Sequence, residues 1–301
     1  MGYLYMIRRS IILIGCLFAS PLAIACSTCM VGDPTLSLMG AEKPYENRLR
    51  LSLNYLSRSE ELGKDGFNKK TIDERRVSAD LAYAPTTRLM FGLSIPYVNR
   101  QLESYNLTNE EVTALGDISI TVKNFMQEKE FLQTHMYGLL GGIKLPTASE
   151  AVDGNGVPLD FDVQVGQGAT VVNAGGWYAH YSYPYFFYTS ATYHVASEGY
   201  QEFQAGDALV YNATLQYASQ HNAAYYLGLE GRSSQMNTFA GVDDPDSGGT
   251  IVFFAPGFIY TIMQDLILHA TVKIPAIDAL YGDHEEGAIF NIGATYDFQI
   301  H

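Results

Sequence analysis

The sequence lacks helical patterns. Beyond residue 25, no long segment repeats its apolar residues with a helical period of about 3.6. No apolar run there approaches the roughly 20 residues of a membrane-spanning helix. Tryptophan occurs once, whereas the chain has 22 tyrosines, 15 phenylalanines and 28 glycines. This composition favours strands joined by tight turns.

Basic charge is also scarce. The 301 residues include 18 lysines and arginines against 32 aspartates and glutamates, and the net charge is −14. The sequence has no basic patch that could engage phosphates, so it predicts no nucleic-acid partner.

Residues 1–25 have the pattern of a secretory signal peptide. Arg8 and Arg9 form a basic start, an apolar core follows, and Ala23-Ile24-Ala25 is a small-x-small cleavage site. The apolar core is about a dozen residues long, too short for a retained helical anchor. We therefore expect export, and a mature chain that begins at Cys26.

Alternation of apolar and polar residues is the strongest signal in the mature chain. From Ile118 to Val122 every second residue is apolar, and Asp117 and Lys123 lie on the opposite face of the same extended stretch. A strand of this kind separates two media. In a soluble sandwich its apolar face points inward, whereas in a membrane barrel that face points to lipid.

Twelve segments with strand character follow one another, and the connections between them are alternately long and short. The six long connections hold 20 acidic and 5 basic residues. The phase of the alternation is ambiguous in the sixth and tenth segments. The segments are Arg48–Leu56, Val77–Tyr83, Leu89–Tyr97, Gly116–Phe125, Thr134–Leu145, Ala169–Tyr181, Tyr185–Val195, Ala208–Tyr217, Tyr225–Arg232, Thr250–Thr261, Leu266–Ile274 and Ala288–Phe298.

An even number of strands with long loops at one end is typical of bacterial outer-membrane barrels. We predict an all-β protein, a single antiparallel transmembrane β-barrel of about 12 strands at residues 45–301, with short periplasmic turns. A periplasmic segment at 26–44 precedes it. We expect a monomer in the outer membrane of a Gram-negative bacterium, in contact with lipid and lipopolysaccharide. Long extracellular loops are expected at 58–72, 100–114, 147–167, 196–207, 233–249 and 278–286.

Charged residues on the polar faces form the candidate functional site, because these faces line the lumen of a barrel. Residues of both signs could pair across strands and rigidify a filled barrel, or they could guide a polar solute. The predicted pore-lining residues are Arg48, Arg50, Asp80, Asp117, Lys123, Lys144, His194, Glu230, Arg232 and Lys273.

Cys26 and Cys29 form a C-x-x-C pair at the start of the mature chain. In an oxidising compartment this pair would form a small disulfide ring or act as a redox pair. Acylation of Cys26, Cu(I) binding and an inert pair remain alternatives. Met30 stands where c-type haem attachment requires a histidine, and we predict no cofactor and no metal.

Ser190 and His194 are the candidates for a catalytic pair, four residues apart on one face of a segment. A serine nucleophile needs a base within hydrogen-bond reach and a third group that orients the base. The sequence nominates no third group. We therefore predict that the protein is not an enzyme and that both residues line the lumen.

Two motifs resemble a known outer-membrane family. Leu115-Gly116-Asp117-Ile118, with Lys123 after it, and Gly142–Thr147 (GIKLPT) resemble the Gly-Asp strand and the G-x-K-L-P-T-G strand end of the family named for the MetA pathway of phenol degradation. Ala255-Pro256-Gly257 resembles its small-Pro-Gly pattern, while Ala148 stands where the family usually has glycine. The resemblance implies transport of small hydrophobic or aromatic compounds across the outer membrane.

The sequence thus predicts an outer-membrane channel or transporter for small solutes, including hydrophobic or aromatic compounds. The alternative is a structural barrel that is closed inside. In that case the segment with Cys26 and Cys29 would dock a periplasmic redox partner.

Overall fold

The structure, a computed structural model, contains twelve barrel strands and no α-helix in the part of the chain that it describes. No helix there is long and apolar enough to cross a membrane. The predicted signal peptide and the segment at 26–44, with Cys26 and Cys29, lie outside the described residues. The described residues are 47–64, 66–106, 108–126, 134–219, 222–263 and 265–299.

The strands follow the predicted order along the chain. Two of them, β4 and β12, each consist of two segments separated by a short break. The bounds are β1 Arg48–Leu62, β2 Lys70–Thr86, β3 Leu89–Ser104, β4 Asn109–Leu115 with Ile118–Asn124, β5 His135–Leu145, β6 Val171–Ser182, β7 Tyr185–Ala196, β8 Ala208–Ala218, β9 Ala223–Ser234, β10 Gly249–Met263, β11 Leu266–Leu280, and β12 His284–Glu286 with Ile289–Gln299.

The sheet closes on itself. Each strand pairs antiparallel with its neighbours in sequence, and β1 pairs with both β2 and β12. At the closing seam, Arg48 lies opposite Ala84 on one side and Gln299 on the other. A closed ladder satisfies its backbone hydrogen bonds internally, which a structure that crosses a bilayer requires. The predicted fold class is confirmed.

Inward and outward side chains differ as the alternation predicts. In β1, Leu53 is 57% exposed on the outer surface and Tyr55 is 37% exposed, whereas Arg50 and Asn54 are buried inside. The same holds around the barrel, so a belt of large apolar side chains covers its outer surface. In a soluble protein such a surface would be an aggregation hazard, whereas lipid is its natural medium.

The first hairpins extend beyond the predicted strand ends. β1 continues to Leu62 and β2 begins at Lys70, so residues 63–69 are the whole connection. β3 likewise continues to Ser104. The strand ends predicted at Leu56 and Tyr97 are therefore wrong. The long loops predicted at 58–72 and 100–114 are therefore short, whereas those predicted at 147–167, 196–207 and 233–249 are present, at 146–170, 197–207 and 235–248.

The extensions stand outside the membrane. Tyr55 and Val77 form an outward-facing pair at the edge of the apolar belt, and the next outward pair in register is Ser57 with Arg75. From this point the outer face is polar, while the inner face mixes charged residues with the apolar residues Leu62, Ile72 and Leu102, which pack together. The alternation of an apolar outer face with a polar inner face ends at this point, so it could not reveal the extensions.

The loop at 146–170 folds into the extracellular end of the barrel. Val163 and Ala169 have no exposed surface there. Asp117, at the break in β4, accepts hydrogen bonds from the backbone N–H of Ala148 at 3.1 Å and of Gln167 at 3.2 Å. This predicted pore-lining carboxylate thus holds both ends of the loop against the barrel wall.

Candidate functional site

A cavity of about 700 Å³ occupies the extracellular half of the lumen. A second cavity of about 320 Å³ shares five lining residues with it, Arg58, His194, Val210, Arg232 and Lys273. The predicted pore-lining residues that lie on these walls are Asp80, Asp117, Lys144, His194, Glu230, Arg232 and Lys273.

Three phenylalanines from three loops meet on the wall of the larger cavity. The ring of Phe161 stacks on that of Phe203, with centroids 4.0 Å apart, and Phe239 lies 5.0 Å from Phe203 and 5.5 Å from Phe161. Phe203 and Phe239 belong to a small sheet formed within the long loops by three two-residue strands, Phe203–Gln204, Thr238–Phe239 and Val242–Asp243. This phenylalanine cluster gives the cavity an apolar surface at its loop end.

The other half of the lumen, toward the short turns, is packed mainly with apolar side chains, with buried polar ones such as Thr214 and Gln216 among them. Trp177 is 4% exposed, and its ring lies 5.0 Å from Phe125 in an edge contact and 6.2 Å from Tyr188 in a stacked one. A water-filled barrel has a polar interior instead. Members of this aromatic layer are Ala82, Ala84, Met90, Phe125, Met136, Leu140, Trp177, Ala179, Phe186, Tyr188, Ala224, Tyr226, Ile259 and Ile267.

Lys123 is buried in the aromatic layer rather than on a cavity wall. Its side chain has no exposed surface. The Nζ atom lies 3.9 Å from the ring centroid of Trp177 and 4.9 Å from that of Tyr188, the geometry of a cation–π contact. Lys123 faces inward as predicted, but it lies among rings.

Arg48 and Arg50 lie at the short-turn end of the lumen, beside the aromatic layer. Both bind Asp297 of β12, and the bond from Arg50 Nη2 to Oδ2 measures 2.8 Å. Ser52 and Thr295 continue this contact at 2.6 Å. These residues form a polar seam where the first and last strands join.

The remaining predicted charges are paired across strands. Lys273 binds Glu230 at 2.5 Å, Arg232 binds Glu286, and Lys144 lies 3.9 Å from Asp117. Asp80 accepts from Asn54 at 2.6 Å, from Ser78 at 3.0 Å, and from Ser94. Pairing rigidifies the wall, which was one of the two interpretations of these charges. Their role in guiding a solute stays a prediction.

An arginine cluster that the sequence did not reveal lies on the inner face of the hairpin extensions. Arg58, Arg76 and Arg100 all bind Glu74, at 3.1, 2.5 and 2.5 Å. Glu74 is fully buried. Burial alone would raise the pKa of Glu74, but the three guanidinium groups outweigh it and hold the pKa well below its usual range. The available signal was the spacing of two between Glu74 and Arg76, which places both on one face.

Glu60 and His284 lie beside this cluster. Glu60 accepts from His284 Nε2 at 2.7 Å and from Arg58 at 3.3 Å. Burial raises the pKa of Glu60, but the bond with His284 and the charge of Arg58 outweigh burial and lower the pKa to about 2. Glu60, His284 and Glu286 place ligand atoms within 4.8 Å of one another. Both carboxylates are already bound to arginines.

The shifted pKa of Glu60 predicts how stability depends on pH. A lowered folded-state pKa means that the stabilisation is complete above about pH 4.5 and is lost as the pH falls towards 2. We expect the urea midpoint, followed by Trp177 fluorescence, to fall more steeply in this window for the wild type than for Glu60→Gln. The same slope in both proteins would show that the Glu60 carboxylate does not cause this pH dependence of stability.

Ser190 and His194 both line the lumen. His194 Nε2 makes a hydrogen bond of 3.0 Å with Thr192 Oγ1, and Ser190 is 7% exposed on the wall of the smaller cavity. A lumen-lining role fits this geometry.

The closed barrel, its apolar outer belt and its charged inner wall define an outer-membrane β-barrel protein. The outer membrane is therefore its location. This is the class that the sequence predicted.

The fold is similar to that of known outer-membrane proteins. An outer membrane channel from Pseudomonas putida F1 aligns at a TM-score of 0.69 and 12% identity, over 92% of this chain and 100% of that one. The translocator domain of the autotransporter NalP from Neisseria meningitidis aligns at 0.53 and 9% identity, over 88% and 93%. No family model matches the sequence, and no curated protein matches it. At these identities the likeness shows the fold, and the phenol-degradation family is not confirmed.

Proposed function

We propose that this protein is an outer-membrane channel that admits small solutes with an apolar or aromatic body. The observation that carries the proposal is the two-zone lumen, in which a cavity of about 700 Å³ lies above a layer of aromatic side chains. The cavity has the volume of a small-molecule site. The aromatic layer disfavours ions and sugars, because they lose hydration there without replacement.

Two further observations support this solute class. The phenylalanine cluster offers an apolar surface at the loop end, so rings line both the entrance and the far half of the lumen. The motif at Gly142–Thr147 resembles the family named for phenol degradation. The similar Pseudomonas protein is itself described as a channel.

We also propose three predicted features, which concern the cysteine segment, the oligomeric state and the acidic loops. Cys26 and Cys29 form a disulfide or redox pair on the periplasmic side. The barrel is a monomer, and its acidic loops bind lipopolysaccharide through bridging divalent cations. A redox partner docked at the cysteine segment stays the alternative function.

Uptake by cells that lack general porins tests the channel. Cells that express the full chain should take up radiolabelled toluene several-fold faster than cells with an empty vector, since the aromatic layer offers its ring an apolar environment. Entry of arabinose, a small polar solute, should change little. Equal toluene uptake by both strains, with folded protein present in the outer membrane, would contradict the proposal and favour a structural barrel.

A further inference from the structure

The arginine cluster has one guanidinium group more than the carboxylates bonded to it. Three guanidinium groups share Glu74, and the second carboxylate, Glu60, also serves His284. Asp160 and Asp162 of the inserted loop bind Lys70 instead, at 2.8 and 2.7 Å. The cluster by itself therefore has one positive charge more than the carboxylates bonded to it, whereas Lys70 with its two aspartates has one negative charge in excess.

Hydrogen-bond donors in the cluster are also left over. The Nε atoms of Arg76 and Arg100 are buried and have no hydrogen-bond partner among the described residues. Arg76 keeps 39% of its side chain exposed, and it lines the larger cavity. A buried donor without a partner is unfavourable. The protein's own acceptors thus do not saturate this cluster.

Lys144 adds a second cation to the same cavity wall. Its Nζ atom lies 3.9 Å from Asp117, beyond hydrogen-bond distance, and 3.4 Å from Gln167 Oε1. Asp117 already accepts the two backbone N–H groups that hold the inserted loop. Lys144 is therefore only weakly neutralised.

We propose that the larger cavity binds an organic carboxylate, with its negative group on Arg76 and Lys144 and its apolar body in the rest of the cavity. Guanidinium groups bind carboxylates strongly, through two parallel hydrogen bonds. The phenylalanine cluster on the same wall supplies an apolar contact surface for a ring. The inference rests on the proposed function and deepens it, because it names aromatic carboxylates as solutes that bind inside the channel.

The acidic loops do not prevent this binding. Three of their carboxylates, those of Asp162, Asp244 and Asp246, line the same cavity, and Asp162 is bound by Lys70. The exposed ones act through solvent, where salt limits the range of their charge to about 8 Å at physiological ionic strength. The arginine cluster lies inside the barrel wall, with Glu74 fully buried behind it. The charge of the exposed loops therefore lowers the association rate of an anion, while the residues of the cavity wall determine its affinity.

Titration of the folded full chain in detergent tests the inference, with three probes that share one ring. Benzoate should bind roughly tenfold more tightly than benzyl alcohol or benzylammonium, the effect of one charge-assisted hydrogen-bonded pair. Added salt should weaken benzoate binding and leave benzyl alcohol unaffected. Equal affinities for benzoate and benzyl alcohol would overturn the inference.

Substitutions locate the binding group. Arg76→Gln should weaken benzoate binding several-fold without changing benzyl alcohol binding, and Arg76→Lys should restore part of it. Arg75→Gln is the matched control, because Arg75 is exposed on the outer face of the same strand. If Arg76→Gln does not fold, Lys144→Gln takes its place. Unchanged benzoate affinity in a folded variant would overturn the site.

The two proposals fail in different ways. If benzoate does not bind but toluene uptake remains, only the proposed carboxylate site is refuted. If toluene uptake is absent from cells with folded protein, the proposed channel function is refuted, whatever binds in the cavity.

Discussion

Trp177→Ala is expected to open the aromatic layer to ions. Trp177 contacts Phe125, Tyr188 and Lys123, and its Nε1 donates to the backbone oxygen of Asn124 at 3.1 Å. Removal of the indole leaves a gap at the position of the largest side chain in the layer. In planar bilayers, single-channel conductance should rise several-fold over the wild type, because water can enter the layer.

The same substitution should destabilise the barrel by about 3–5 kcal/mol, the usual loss for a buried tryptophan. The measurement is the urea concentration at which the heat-modifiable gel shift is lost. Tyr137→Ala is the control, since Tyr137 is 43% exposed on the outer belt. Unchanged conductance in folded Trp177→Ala would show that the aromatic layer does not obstruct the lumen.

Glu74→Gln should have the second largest effect. The substitution removes the carboxylate that three arginines share, and it leaves their charges close together on one wall. Breaking a fully buried ion pair costs about 3–5 kcal/mol. We expect about 2–3 kcal/mol here, because the arginines keep some exposure, and Trp177 fluorescence in urea would measure it.

Asp73→Asn is the matched control for Glu74→Gln. Asp73 precedes Glu74 and is exposed on the outer face of β2, so its neutralisation should change stability little. Benzoate affinity should rise in Glu74→Gln, since the cluster gains net positive charge. A stability loss no larger than that of Asp73→Asn would show that the arginines do not depend on Glu74.

The strands could be predicted because lipid and lumen impose opposite demands on alternate residues. Ile120 is 38% exposed on the outer surface and Lys123 is buried inside, as the alternation at 115–125 requires. The two segments of ambiguous phase show where this reasoning fails. Trp177 and Phe253 point inward although they are apolar, so both faces of their strands are apolar and the period of two disappears.

The candidate site was less predictable, because it depends on contacts between distant residues. Arg58, Glu74 and Arg100 meet only because three strands lie in register outside the membrane. Their segments read as polar loops, because the outer face is polar and the inner face mixes charged residues with a few apolar ones such as Ile72 and Leu102. The inserted loop at 146–170 carries no sequence signal for its burial.

The most direct test of the claim that solutes with an apolar or aromatic body pass through the aromatic layer is photolabelling with a small phenyl diazirine. The folded full chain is irradiated with the probe in liposomes, and labelled residues are identified by mass spectrometry. The account predicts labels on the inward-facing Phe125, Trp177 and Tyr188 that excess toluene suppresses, together with outer-belt labels that toluene leaves unchanged. Labels confined to the outer belt would contradict it.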